Sequence, residues 1–363
     1  MRSMSKGERG LSEGWKEFAP YLKELARGPD SLQDLDPTMA REATELILRG
    51  VATPAQAAGF FLIGRAKGNG PGELAGIARG LLSLVRPIEA PGDDPVVAVA
   101  GGFDGKLRTQ NVGAVSSLVA AAAGARVVLL AGEDIPPKGG RTSLDALRNL
   151  GVRAPQTHSE ARSSLADDGF AAVSPRVYLP ELDGLRQLRR EMVRRTALNV
   201  AEKLVSPVPG ARMMVGITHR RPFLETMPDA LRALGVERAL VFQAIEGSDE
   251  APLDASSSLL LVTAEGDEDV KTSPEDLGLG RATKAEVPWE GEEAEAESLL
   301  GALSGEAGPV LDLILYNAAL RLWLADEETS LAEHVSRARE AVSTGAAHVL
   351  LDRMRRGAAV GGG

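Results

Sequence analysis

Apolar and polar positions change rhythm near residue 90. From Trp15 to Val85 apolar residues recur at helical spacing, as at Trp15, Phe18, Leu22 and Leu25. Asp36-Pro37 and Thr53-Pro54 each pair an N-cap residue with proline at the first helical position. A further helix, 73–84, follows Gly70-Pro71-Gly72, and 87–95 reads as a linker. Beyond it, short apolar runs alternate with helical ones. Strands are predicted over 96–100, 126–130, 169–173, 213–217, 239–243 and 259–263. Helices are predicted over 112–123, 143–150, 182–204, 222–234, 292–303, 310–324 and 331–354. This alternation predicts the α/β class: a small all-helical domain plus a large α/β domain with a mostly parallel central sheet flanked by helices. The helical domain is expected over 15–88 plus about 180–204, and the α/β domain over 89–179 and 205–356. Disordered tails are expected over 1–14 and 357–363.

The stretch 96–124, VVAVAGGFDGKLRTQNVGAVSSLVAAAAG, organises the chain. A buried strand runs into Gly101, Gly102 and Gly105, and then into an Ala-rich helix. That order places backbone N–H groups and a helix N-terminus around a phosphate. Asp104, inside the turn, is a candidate for a substrate hydroxyl or a metal. Glycines serve a tight turn equally well, so both readings stay open. GGFDG (101–105) matches neither the dinucleotide fingerprint nor the ATP-binding P-loop.

Composition narrows the classes. The 363 residues, 44% hydrophobic, suffice for one large domain or two modest ones with real cores. No apolar run is long enough to span a bilayer, and MRSMSKGERG at the N-terminus lacks an apolar signal core. The absence of cysteine excludes disulfides and thiol chemistry, and a cytoplasmic protein is expected. His158, His219, His334 and His348 show no zinc-ligand spacing. Residues 265–297 carry twelve acids against Lys271, Arg281 and Lys284, so nearly all of the net charge of −10 sits there. A basic surface elsewhere remains open. The stretch 185–195 holds Arg186, Arg189, Arg190, Arg194 and Arg195 against one acid, Glu191. On a helix, Arg186, Arg190 and Arg194 share one face with Arg189 beside them. This reads either as a phosphate or nucleic-acid track or as a solvated face.

ILRGVATPAQAAGFFLIGRAKGNGPGELAG (47–76), TSPEDLGLG (272–280) and GPVLDLILYNAALRLW (308–323) carry a family resemblance. Over about residues 20–355 the chain resembles the anthranilate phosphoribosyltransferases, within the group that includes pyrimidine nucleoside phosphorylases. The resemblance implies phosphoribosyl pyrophosphate as donor, Mg2+ as cofactor, a cleft between the domains as the site, and a homodimer. Phe60, Phe61 and Leu62 would serve an interface or the core. Gly101, Gly102, Asp104, Gly105, Lys106, Arg108 and Asn111 would meet the donor's phosphates. Asp249 and Glu250 of EGSDE (246–250) would hold magnesium, and Arg189 and Arg195 would face the acceptor.

The catalytic elements depart from the family pattern. Its gly-thr-gly-gly-asp-gly loop appears as AGGFDG (100–105). Its asn-ile-ser-thr keeps Asn111 and Val112 but has Gly113 and Ala114 for the two hydroxyl residues. Its lys-his-gly-asn loop appears as LAGE (130–133), which removes a lysine and introduces Glu133. Lys106, Arg108 and Lys138 are the candidates to restore the charge. The family's his-pro appears as Leu179-Pro180, which disfavours anthranilate as acceptor. FDGKLR (103–108) and THRRPFLETM (218–227) resemble a divergent branch described as nucleic-acid-binding. Two functions are therefore carried forward. One is a phosphoribosyltransferase-type glycosyltransferase with a rebuilt diphosphate loop and unknown acceptor. The other is a non-catalytic homologue binding single-stranded nucleic acid or another polyanion through Lys106, Arg108, Arg186, Arg189, Arg190 and Arg194. With few aromatics to stack bases, the second mode would be mainly electrostatic.

Overall fold

The computed structural model describes residues 6–28, 31–133, 135–218 and 220–360. The chain forms two compact units: Met1–Arg86, Leu179–Val205 and Thr226–Gly235 in one, and Pro87–Tyr178, Ser206–Glu225 and Val236–Gly363 in the other.

The first unit is helical, built on α1 (Lys6–Leu25), α2 (Pro37–Leu48), α3 (Pro54–Lys67) and α4 (Pro71–Leu82). Their starts follow the local chemistry. The Asp36 carboxylate accepts from Thr38 N–H at 2.8 Å, and Thr53 with Gln56 forms a capping box. Phe18, Phe60, Phe61, Ile77 and Leu81 make the core. Phe60 and Phe61 are buried within this unit rather than offered to an interface. The start of α1 at Lys6 corrects the expected tail over 1–14; Gly7, Gly10 and Gly14 dilute the apolar periodicity there. Residues 1–5 lie outside the described ones.

A second correction falls on 182–204. Three short helices, Pro180–Asp183, Arg186–Met192 and Ala197–Ala201, replace one long one. Val193 turns the chain through a left-handed conformation (φ 58°), and a Thr196–Asn199 capping box restarts it. Arg194 therefore lies outside the helix of Arg186 and Arg190, and the predicted i, i+4, i+8 row does not form.

The second unit is a seven-stranded sheet of order β3-β2-β1-β4-β5-β6-β7. Its strands are β1 (Val96–Ala100), β2 (Arg126–Leu130), β3 (Phe170–Val173), β4 (Arg212–Ile217), β5 (Arg238–Gln243), β6 (Ser257–Thr263) and β7 (Asp267–Thr272). The first five are parallel; β6 and β7 add antiparallel at one edge. The predicted strands are buried, continuous apolar runs. DEDVKT, the unpredicted β7, is an exposed edge strand whose charges conceal it and protect the edge. Helix α5 (Val112–Ala122) follows β1 and packs on helix Pro309–Ala325. The last helix runs to Val360, into the expected tail, and 361–363 lie outside the described residues. Because β1 lies between β2 and β4, the chain reverses its winding there, and such switch points are where ligands bind beyond the carboxyl ends of strands. No helix among the described residues is long and apolar enough to cross a membrane.

One interaction of the helical unit lends itself to a stability test. Buried Glu73 accepts from Leu35 N–H at 3.0 Å, from Lys67 at 2.5 Å and from Asn69. Glu73→Ala leaves the Lys67 ammonium with Asp34 and the Gly68 carbonyl but without its buried carboxylate, and urea unfolding should show a loss of about 1–3 kcal/mol. Lys67→Met with Glu73→Leu should recover most of it. A loss below about 1 kcal/mol in the single variant would show that the pair does not brace the helices.

Candidate anion-binding site

The loop from Gly101 to Asn111 leaves the end of β1 and enters α5. Gly105, at φ +75°, makes a turn closed by its N–H to Gly102 O at 2.8 Å. Lys106 then pairs backbone to backbone with Arg141, at 2.7 and 2.9 Å. The amides from Leu107 to Gly113 decide the character of the site. The Glu246 carboxylate accepts from Leu107, Arg108 and Thr109 N–H at 3.0, 3.1 and 3.0 Å, and from the Thr109 hydroxyl at 2.9 Å. Glu295 accepts from Asn111 N–H at 2.8 Å, and Glu250 from Gly113 N–H at 2.9 Å. Gln110 N–H donates to Val287 O at 3.1 Å. A run of backbone donors ending at a helix N-terminus binds anions. Here three of the chain's own carboxylates fill it.

Cations surround those carboxylates. Lys106, almost wholly buried, donates its ammonium to Glu250 and to the Gln110 carbonyl. Fully buried Arg321 meets Asp249 at 2.6 Å, Ser117 Oγ at 2.9 Å, Asn317 O at 2.7 Å and Gly113 O at 3.3 Å. Lys138 Nζ and Arg108 Nε lie 3.6 and 3.7 Å from Glu246. The Arg141 guanidinium stacks 3.5 Å from the Trp289 ring centre, and its Nε and Nη2 are buried without a hydrogen-bond acceptor. Burial lowers the Arg141 pKa, with Glu295 and Glu246 opposing. Burial raises Glu250 and Glu295, against Lys106 for the first and the Asn111 N–H for the second. Burial would raise Glu246 too, but the Leu107, Thr109 and Arg108 donors with Lys138 hold it at about 2.

The predicted residues separate accordingly. Gly101, Gly102, Asp104, Gly105, Lys106, Arg108, Asn111, Asp249 and Glu250 all belong to the α/β unit, and Asp104 and Asn111 are buried there. Lys106 is corrected: its ammonium is spent on Glu250 and the loop, not offered to a phosphate or a nucleic acid. Glu133 does not stand as bare repulsion, since Arg176 neutralises it at 2.8 Å. Arg186, Arg189, Arg190, Arg194 and Arg195 belong to the helical unit. Buried Arg189 pairs with Glu202 at 2.6 Å, and Arg186 with Asp183 at 2.7 Å. With that pairing and the broken helix, the arginine track loses its geometric basis. His219, in the segment that suggested the nucleic-acid branch, lies outside the described residues. Sequence reasoning passed over Glu246, Glu295, Arg141 and Arg321. Only Arg321, a lone charge in the apolar run LYNAALRLWLA (315–325), carried a signal.

The expected magnesium ligands, Asp249 and Glu250, are fully buried and each bonded to a cation. A divalent ion retains water and needs open carboxylate oxygens; Asp249 Oδ1 is one, buried without a hydrogen-bond partner, while the other three oxygens of the pair are taken by Arg321, Lys106 and Gly113 N–H. Among the described residues no group of three or more His, Asp or Glu is placed to hold a metal.

Residues 95–348 match the glycosyl transferase family, a/b domain, and residues 19–84 the glycosyl transferase family, helical bundle domain. The chain belongs to this glycosyl transferase family. It is 34% identical to the anthranilate phosphoribosyltransferase of Thermomicrobium roseum over 328 residues, 89% of this chain and 92% of the relative. Identity to that of Caulobacter vibrioides is 33% over 339 residues, covering 92% and 95%. Among solved structures, the Thermus thermophilus anthranilate phosphoribosyltransferase superposes with TM-score 0.78 at 28% identity, covering 93% of this chain and 98% of that one. The Saccharomyces cerevisiae enzyme in complex with PRPP and Mg gives 0.80 at 17% identity over 95% and 98%, a likeness of fold. Both domains of the family are thus present in this chain.

The Glu246 contact has a pH signature. Its folded-state pKa lies below its ordinary value of 4.5, so it contributes stability above pH 4.5 and loses it as pH falls toward about 2. In Glu246→Gln, urea unfolding should show a loss of about 1–3 kcal/mol at pH 7. The gap between wild type and variant should narrow steadily from about pH 5 to about pH 2.5. A gap that is constant across this window would show that the carboxylate is not held by the loop.

Proposed function

We propose that this chain is a phosphoribosyltransferase-type glycosyltransferase that takes phosphoribosyl pyrophosphate as donor and an acceptor other than anthranilate. The observation that carries the reading is the row of donors from Leu107 to Gly113, which holds anions at the carboxyl end of β1. In such a transfer the acceptor attacks the anomeric carbon, the glycosidic C–O bond breaks and diphosphate leaves with the electron pair. Catalysis then requires preorganised donors where that charge develops. The loop supplies them once the diphosphate displaces Glu246 from the 107–109 amides. Arg141 supplies a fixed cation whose Nε and Nη2 are unspent. Relatives at 34% and 33% identity are named anthranilate phosphoribosyltransferases, which supports the donor class.

The acceptor is a separate matter. The family's his-pro is Leu179-Pro180 here, and the carboxylate of Glu202 already occupies Arg189. A benzoate-type carboxylate would have to share that guanidinium, whose buried Nε is without an acceptor, and with the histidine absent this favours a differently charged or neutral acceptor. The yeast relative's complex contains Mg. In this chain Asp249 and Glu250 are each paired with a cation and Asp249 Oδ1 is the pair's oxygen without a partner; no step is assigned to a metal there.

Calorimetry with phosphoribosyl pyrophosphate should show saturable binding, weakened about tenfold or more in Arg141→Gln through loss of a charged hydrogen bond. With a panel of amines and heteroaromatic bases, 31P NMR should show diphosphate released only when an acceptor is present. No binding of the donor at millimolar concentration would end the transferase reading.

A further inference from the structure

We propose that Trp289 is a positioning residue of the anion site, whose indole face holds the Arg141 guanidinium so that its N–H groups stay free for a diphosphate. The inference rests on the transferase reading for the identity of that ligand. Its basis is a contact inside the α/β unit. The central carbon of the Arg141 guanidinium lies 3.5 Å from the centre of the Trp289 ring. At that distance the two planes must lie roughly parallel, because a nitrogen aimed at the ring would be driven inside van der Waals contact. A stacked guanidinium keeps its N–H groups in its own plane, directed away from the ring. A carboxylate would attract the same charge but use those groups up. The buried guanidiniums of Arg189 and Arg321 are each held in that second way, by Glu202 and Asp249. Arg141 is held in the first, and its Nε and Nη2 are buried without an acceptor. The Glu295 and Glu246 charges offset part of the cost of enclosing it, yet both carboxylates bond to amides of the loop and neither bonds to Arg141.

Ring and cation are fastened to the same loop. Arg141 exchanges two backbone hydrogen bonds with Lys106, at 2.7 and 2.9 Å. Residues 287–289 run antiparallel to 108–110. Gln110 N–H donates to Val287 O at 3.1 Å, Thr109 bridges to Pro288, and Trp289 N–H donates to Arg108 O at 2.9 Å. The stack is therefore set by the segment whose own amides hold anions, and it keeps its place relative to them. The Trp289 indole Nε1–H is also buried without an acceptor. Three nitrogens of one stacked pair, one side chain of which is a cation, thus lack acceptors. Enclosed donors in that state are costly. A ligand with several acceptor oxygens and negative charge satisfies them, and diphosphate has both.

Calorimetry with inorganic diphosphate, with Mg2+ present, tests the assignment. Trp289→Leu should weaken binding about fivefold or more, and Trp289→Phe, which keeps a ring face, should stay within about threefold of wild type. In an Arg141→Gln background Trp289→Leu should cost nothing further, because the ring acts through the cation. An equal loss in that background would make Trp289 a structural residue only and overturn the proposal, as would a Trp289→Leu protein that binds like wild type. The Arg141 Nε–H proton, followed by NMR, gives a second reading on wild type that needs no variant to fold. Ring shielding should place it upfield of exposed arginines, and saturating diphosphate should move it downfield as the hydrogen bond forms. A resonance at the exposed position, or one that diphosphate leaves unmoved, would overturn the proposal. So would absence of diphosphate binding by wild type at millimolar concentration, even where phosphoribosyl pyrophosphate binds. The expected diphosphate pattern in a protein that does not bind phosphoribosyl pyrophosphate would support the positioning role and end the transferase reading alone.

Discussion

Backbone N–H groups at the start of a helix must be satisfied, and the β1–α5 loop satisfies them with carboxylates. Glu246 takes three amides and a hydroxyl, Glu295 takes Asn111 and Glu250 takes Gly113. Those negative charges would be costly to bury alone. Lys106, Arg321, Lys138 and Arg141 are therefore drawn in behind them. The same geometry explains why Glu246 titrates so far below its usual range while the more deeply buried Glu250 is pushed the other way.

The family fold rests mainly on other residues than these charges, with Arg321 reaching from the packed helix to α5 as the point where the two sets meet. The sheet is held by buried apolar strands and by the packing of α5 against Pro309–Ala325. Neither depends on what occupies the loop's amides. The two-domain match and the high structural similarity follow from the first set of residues. The chemistry of the site follows from the second, and fold likeness alone does not transfer it.

Much of the architecture was legible in sequence because buried parallel strands are continuous apolar runs and because Pro37 and Pro54 mark helix starts. The misses have physical causes. β7 is written in charges because it is an exposed edge. The stretch 182–204 keeps an amphipathic rhythm across Val193, where the backbone turns left-handed without a glycine to announce it. At the site, Asp104, Asn111, Asp249 and Glu250 were all singled out, yet their meaning was hidden. The partners that define the last three and the loop, Glu295, Arg321, Lys106 and Glu246, lie 72 to 184 positions away. Lys106 looked like a phosphate ligand because a lysine in a glycine-rich loop carries no mark of the buried glutamate that claims it.

Hydrogen exchange at the backbone amides of residues 107–113, resolved by NMR on the protein without substrates, is the most direct measurement of this account. Leu107, Arg108, Thr109, Asn111 and Gly113 N–H should exchange slowly, as hydrogen-bonded amides do, and the first three should speed up selectively in Glu246→Ala. Exchange of these amides in wild type at the rate of an open loop would contradict it, and would mean that the anion cradle stands empty.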